Sequence, residues 1–134
     1  MAISKNANRQ YPLVARIAFT YADPVEATAT ALFDVPPNAI VIGGHVAVTT
    51  NWNSATSATL DIGDGGDDDR YTSTIINLKT ATYVALTPTG YKYTVQDTID
   101  AIVTNTGTPS AGAAEVVLEY IIVDRGHEVQ PVQS

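Results

Sequence analysis

From Leu13 the chain alternates, with Leu13, Ala15, Ile17, Phe19 and Tyr21 on one side and Val14, Arg16, Ala18 and Thr20 on the other. A period of two predicts a half-buried strand. Ala22-Asp23-Pro24 ends it, because proline lacks a ladder donor and restricts the residue before it. Residues 28–33 read as a second strand, made ambiguous by their alanines, and Pro36-Pro37-Asn38 divides it from a third over residues 40–50. Gly43-Gly44 interrupts that third run, as at a bulge or a close backbone approach. Residues 51–57 form a turn carrying Trp52, and residues 58–62 are a short strand that enters a Gly/Asp loop.

The second half is less regular. Residues 72–78 and 82–86 are weak segments, the first compatible with a helical turn. Pro88-Thr89-Gly90 signals a turn, after which Tyr91, Tyr93 and Val95 alternate. Residues 98–104 place Ile99, Ala101 and Val103 on one face, and residues 105–113 supply a loop long enough to connect a hairpin. Residues 115–124 are the strongest strand. Their unbroken Val116-Val117-Leu118 and Tyr120-Ile121-Ile122-Val123 imply burial on both faces, one of them against a partner.

About eight short strands spaced by roughly ten residues, with no amphipathic helix, predict an all-β protein. The expected fold is an antiparallel β-sandwich or jelly roll over residues 13–124, with an extended arm (residues 1–12) and a polar tail (residues 125–134). A length of 134 residues fits one domain, and a 45% apolar content is enough for a packed core. There is no cysteine, so no disulfide staples the fold. No apolar run reaches the roughly 20 residues that span a bilayer. Lys5, Arg9 and Arg16 break up the opening stretch, so no signal peptide is expected and the product is read as made and used inside the cell.

Charge narrows the partners. The net charge is −7, yet residues 1–22 hold three cations and no acid. An acidic body argues against nucleic acid, whose phosphates demand Lys and Arg. The basic opening suits an arm laid on an acidic or polar protein neighbour. Neither nucleic acid nor membrane is an expected partner.

The densest chemistry is the loop holding Asp61, Asp64, Asp67, Asp68 and Asp69. Carboxylates on a Gly-rich turn can wrap Ca²⁺, which takes 6 to 8 oxygen ligands. The EF-hand spacing is absent and no Glu closes the loop, so this is a weak metal candidate. The alternative is structural: Gly63, Gly65 and Gly66 permit a tight turn, Asp side chains bond nearby N–H groups, and Arg70 neutralises one carboxylate. His45 and His127 are too few for a zinc set without cysteine. No nucleophile elbow or phosphate loop occurs, so neither catalysis nor a cofactor is expected. Trp52 with Tyr71, Tyr83, Tyr91 and Tyr93 reads either as a sugar platform or as cross-strand packing. The terminal arms either add strands to neighbours or fray.

A series of segments then carries a resemblance. In order they are Pro36-Pro37-Asn38-Ala39-Ile40-Val41, Gly43-Gly44 and Val46-Ala47-Val48-Thr49-Thr50. Next come Asn53-Ser54-Ala55-Thr56-Ser57 and Leu60-Asp61-Ile62-Gly63-Asp64-Gly65 with Asp69-Arg70-Tyr71. Leu86-Thr87-Pro88-Thr89-Gly90-Tyr91 and Val117-Leu118-Glu119-Tyr120 complete the series. Over residues 13–130 the chain resembles the capsid decoration, or cement, proteins of tailed bacteriophages. The resemblance implies a non-enzymatic sandwich on the outer surface of the virion, made in the host bacterial cytoplasm. It would bridge major capsid protein subunits and contact neighbouring copies of itself as a dimer or trimer. On that reading Lys5, Arg9, Tyr11, Arg16, Arg125, His127 and Gln130 are the expected capsid contacts, and the edge beside residues 115–124 meets another protomer. The alternative is a tail- or fibre-associated β-domain that binds host-surface carbohydrate.

Overall fold

The computed structural model describes residues 9–80, 82–123, 125 and 127–128. Its strands are β1 (Arg9–Gln10), β2 (Leu13–Thr20), β3 (Thr30–Val35), β4 (Ala39–Thr50) and β5 (Ser57–Gly63), then β6 (Ile76–Asn77), β7 (Tyr83–Ala85), β8 (Asp97–Thr106), β9 (Ala113–Ile122) and β10 (His127–Glu128). Two antiparallel four-stranded sheets, β2-β9-β4-β7 and β3-β8-β5-β6, form the sandwich, and β1 pairs with β10 apart from them.

The pairings nest. β2 lies on β9, β3 on β8, β4 on β7 and β5 on β6, as in one long hairpin ribbon whose bend lies between β5 and β6. Rolling the ribbon brings β9 onto β4 and β8 onto β5. That is jelly-roll order, so the all-β sandwich expected from strand spacing is the fold observed.

Period-two patterning supplies the core. β2 turns Ala15, Ile17 and Phe19 inward, as its alternation predicts, and β8 does the same with Ile99, Ala101 and Val103. Leu60 and Ile62 from β5 meet Val46, Val48, Val116 and Leu118 from the other sheet in one buried cluster. The glycine pair in β4 sits at a register shift between Val41 and Gly43, the bulge its sequence predicts. Gly44 has φ +137°, and a Cβ there would lie 2.3 Å from the Val117 carbonyl oxygen, so only glycine fits without displacement.

Three expectations change. Residues 105–113 do not join a hairpin: β8 continues to Thr106 and the loop then crosses to β9 in the other sheet. Residues 72–78 contain no helical turn; Ile76–Asn77 pairs with β5 instead. Tyr91, Tyr93 and Val95 do not form a strand: only Lys92 bridges, to Ile40, and the chain bends at residues 94–95. Within the chain β9 is fully buried on one face: Ala114, Val116, Leu118 and Ile122 enter the core, whereas Val117, Glu119 and Ile121, on the face the sequence assigns to a partner, are half-covered, with no layer of described residues above them.

Because each of the strands β2 to β9 runs opposite to the one before it, the loops collect at two ends. One end gathers the β2–β3, β4–β5, β6–β7 and β8–β9 connections around Trp52. The other gathers the β3–β4, β5–β6 and β7–β8 connections around Asp64, beside the start of β2 and the end of β9.

Candidate functional site at the acidic end

β5 delivers its last residues into a loop that folds back on Asp64. The Asp64 N–H bonds the Asp67 carbonyl (2.9 Å), and Oδ1 of Asp64 accepts the N–H groups of Gly66 and Asp67 (2.9 Å each). These short-range bonds are the self-capping turn that Asp favours. The same oxygen takes Nη2 of Arg70 at 3.2 Å, while Oδ2 takes Arg70 Nε at 2.5 Å and the Tyr93 hydroxyl at 2.7 Å. Five donors thus fill a carboxylate that has about four lone-pair sites. Since Tyr93 gives its proton to Asp64, the Tyr71 hydroxyl, 2.7 Å from it, donates to Tyr93. The Arg70 guanidinium also covers the Tyr91 ring at 3.8 Å, and Tyr91 meets Tyr93 edge-on at 5.0 Å.

Geometry sets the electrostatics. Burial pushes the Asp64 carboxyl upward, but Arg70, Tyr93 and the Gly66 and Asp67 N–H groups outweigh it and hold the group below its ordinary range. Burial, with the hydrogen bonds to Tyr71 and Asp64, drives the Tyr93 phenol far above its usual value. Burial raises Tyr71 too, against a smaller opposing effect of the Tyr93 hydroxyl. Both phenols stay protonated, so they act as hydrogen-bond groups and not as bases. The hub also locks its neighbours: Asn38 donates to the Tyr93 carbonyl (2.7 Å), Tyr93 to the Ala39 carbonyl (3.0 Å), and Val123 to the Asn38 carbonyl (3.0 Å).

The five loop acids do not converge. Asp64 is turned inward with its acceptor sites filled, and Asp61 is half-buried, accepting the Thr72 hydroxyl at 3.2 Å. Asp67, Asp68 and Asp69 are exposed, with carboxylate oxygens within 4.8 Å of one another. Asp67, by hydrogen bonding and then by repulsion, raises the Asp69 carboxyl above its ordinary range. The aspartates that sequence alone offers as one ligand set therefore divide into a structural pair and a solvated cluster.

The other candidates are dispersed. Arg16 on β2 forms a two-pronged exposed bond with Glu115 (2.6 and 2.7 Å). Tyr11 and Arg125 are exposed. Arg9 and His127 lie in β1 and β10, where Arg9 pairs with Glu128 and Gln10 with His127. Lys5 and Gln130 fall outside the described residues. His45 stacks on Tyr83 across the outer face of the β2-β9-β4-β7 sheet (4.4 Å between rings). β9 is paired on both sides, and the sheet edge beside it, unpaired among the described residues, belongs to β2.

The aromatic platform dissolves. Trp52 is 1% exposed and packs edge-on against Phe19 at 6.1 Å, while Tyr71 and Tyr93 are buried in the Asp64 hub. The buried tyrosine pair is the feature sequence reasoning missed. Its signal was the strand-like alternation at Tyr91 and Tyr93, which reflects one tyrosine under the Arg70 guanidinium and one bonded to Asp64.

No protein-family model matches the chain, and no relative is found among curated protein sequences. Solved structures do match. A chain of the cyanophage Pam1 capsid asymmetric unit aligns with TM-score 0.64 and 23% identity, covering 91% of this chain and 92% of that one. A chain of the acid-stable capsid of Helicobacter pylori bacteriophage KHP30 gives TM-score 0.64 at 12% identity, over 85% and 92%. A chain of the capsid of Ralstonia phage GP4 gives 0.58 at 16%, over 90% and 88%. The fold is shared across nearly the whole of each chain.

Proposed function

We propose that this chain is a structural virion protein that decorates and cements a phage capsid by bridging major capsid protein subunits. The observation that carries this reading is the end-to-end likeness to chains from three capsid structures, each of nearly the same extent as this one. The site chemistry agrees with it, since the one buried ion pair among the described residues is saturated by protein donors and spent on loop geometry. The protein acts by contact, not by turnover.

On this reading the chain sits on the outer surface of the head after synthesis in the host bacterial cytoplasm. The capsid contacts are Lys5, Arg9, Tyr11, Arg16, Arg125, His127 and Gln130. Each copy needs only modest affinity, because touching several lattice subunits raises the effective concentration of every further contact. Binding the assembled lattice and not its free subunits stabilises the shell by mass action.

The test is reconstitution on heads that lack the protein, read by cryo-electron microscopy. Full occupancy at fixed lattice positions, lost on deleting residues 1–10 while the isolated domain still melts cooperatively, is the expected result. Absence of the chain from purified particles would falsify the reading.

A further inference from the structure

The two outer faces of the sandwich differ in kind. On the β3-β8-β5-β6 sheet the outward positions of β5 and β8 are, apart from Ile102, hydroxyls and acids, among them Thr59, Asp61, Asp100 and Thr104. The strands of that sheet hold Asp34, Asp61, Asp97 and Asp100 and no cation. Groups of this kind lose free energy when water is taken from them unpaired. The β2-β9-β4-β7 sheet is the reverse. Among the described strands, the exposed large hydrophobic side chains are Leu13, Val14, Ile42 and Tyr83, and all four belong to it.

The charges on this second face are balanced within it, with one exception. Arg16 holds Glu115 through two bonds, and His45 stacks on Tyr83. Glu119 has no such arrangement. It is half-buried between Val14 on β2 and Gly43 on β4, and its carboxylate makes no ion pair or hydrogen bond among the described residues. Because Gly43 has no side chain, the carboxylate lies against the sheet, with Oε1 3.4 Å from where a Cβ would stand.

We propose that the chain lays the outer face of β2-β9-β4-β7 on a capsid subunit, and that the subunit presents a lysine or arginine to Glu119 from within an apolar patch. The inference rests on the capsid reading above and adds to it the docking face and the chemistry of the surface it meets. Desolvation selects the face. Covering apolar side chains and an existing ion pair is far less costly than covering a sheet that has four carboxylates and no cation. Charge selects the occupant. A half-buried carboxylate that becomes fully buried needs a base beside it. A second copy laid face to face brings Glu115 and Glu119 up to their like, on chains of net charge −7, and an anionic lipid surface repels for the same reason. β2 and β9, from which both ends of the chain continue, are strands of this sheet, so the arms and the face can engage one partner.

The experiment is quantitative binding of the full chain to heads that lack it, with cryo-electron microscopy of the decorated heads. The map is expected to show β2-β9-β4-β7 against the shell and β3-β8-β5-β6 towards solvent. Ile42→Glu and Tyr83→Glu, both at exposed positions, should weaken binding by about a hundredfold, since each places an unpaired charge in the contact. The same kind of change on the opposite face, Thr104→Glu, should leave it unaltered; thermal melting checks that all three stay folded. Glu119→Gln, which keeps the shape, should bind about tenfold more weakly and with less dependence on salt, and Glu119→Lys more weakly still. A wild-type chain that never binds heads removes the capsid reading and this inference with it. A chain that binds with the other face inward, by its termini alone, or with a second copy stacked on this face overturns the inference only. So does an Ile42→Glu or Glu119→Lys variant that binds as tightly as the wild type.

Discussion

The two ends of the sandwich are fastened by opposite means. At the acidic end the loops converge on a charge: Asp64 takes five donors from its own turn, Arg70 and Tyr93. At the other end they converge on a shape. Trp52 is buried against Phe19, and its indole N–H finds no acceptor among the described residues. Polar bonds there run around the ring and not to it: Asn53 accepts the Ser110 and Ala111 N–H groups (2.7 and 3.0 Å), Ser57 meets the Thr106 hydroxyl at 3.0 Å, and the Lys79 ammonium bonds the Ser54 carbonyl. Directional bonds fix where each backbone atom lies. A packed ring fixes only the space around it. The acidic end, from which β2 starts and β9 leaves, is therefore the more exactly positioned of the two, as the proposed docking by the termini would require.

The largest effects come from removing either fastener. Asp64→Ala strands the Arg70 guanidinium and the Tyr93 hydroxyl, and breaking a buried pair from one side costs about 3–5 kcal/mol. Trp52→Ala leaves a cavity in place of the ring and costs about 3–5 kcal/mol as well. Each should lower Tm by roughly 10–20 °C in calorimetry, given the entropy of unfolding of a domain this size. The comparison is broken if Asp64→Ala melts like the wild type, since the charge would then be ornamental.

A subtler change probes the shape-based end alone. Gly112 has φ +153°, and a Cβ there would lie 2.4 Å from Trp52 Cδ2. Gly112→Ala forces the ring or the β8–β9 loop to move, at a cost of about 1–3 kcal/mol. Denaturant titration should show a lower midpoint with an unchanged slope. In the Trp52→Ala background the same change should cost much less, because the obstacle is gone, and additive penalties would disprove the contact.

Acid separates the ends by sign. The Asp64 carboxyl is held below its ordinary range, so the unfolded chain takes up that proton first as pH falls. Its stabilisation is fully present above the unfolded value of about 3.9 and is lost as pH drops through the lower folded value. Asp64→Asn, which keeps the shape and a partner for Tyr93, should flatten the stability–pH curve below about pH 4. Trp52→Ala should shift that curve down as a whole without altering its slope. An Asp64→Asn curve parallel to the wild type would place the acid sensitivity elsewhere.

How much of this was legible in the sequence follows the same division. Alternation at residues 13–21 and 98–104 gave β2 and β8 with the correct inward faces, because a half-buried strand writes its exposure pattern directly into residue order. Gly43-Gly44 announced its bulge for a steric reason visible in the residue type. What failed were the long-range relations. Residues 105–113 look like a hairpin loop from either side, and only the closure of β9 on β4 sends the chain to the other sheet. Arg70 was legible as a neutraliser of the loop, but Tyr93 lies far along the chain from Asp64 and nothing local ties them. Trp52 seemed available because polar turn residues surround it, whereas its burial depends on Phe19 from β2 and Gly112 from the β8–β9 loop, both distant in the chain.

The smallest expected effect calibrates the others. Arg16 and Glu115 form the other ion pair among the described residues, two-pronged at 2.6 and 2.7 Å, yet Arg16 is open to solvent. Water and salt screen exposed charges, and holding two long side chains together costs entropy. Arg16→Ala should therefore leave Tm within error of the wild type, even though Glu115 loses the partner that, with a smaller contribution from His45, keeps its carboxyl below the ordinary range. The same two atoms 2.6 Å apart thus matter little on the face of a sheet, while the 2.5 Å contact between Arg70 and Asp64 governs an entire end of the molecule. A large loss in Arg16→Ala would mean that distance, and not burial with full hydrogen-bond satisfaction, sets the strength of these pairs. The contrast between the ends would then lose its physical basis.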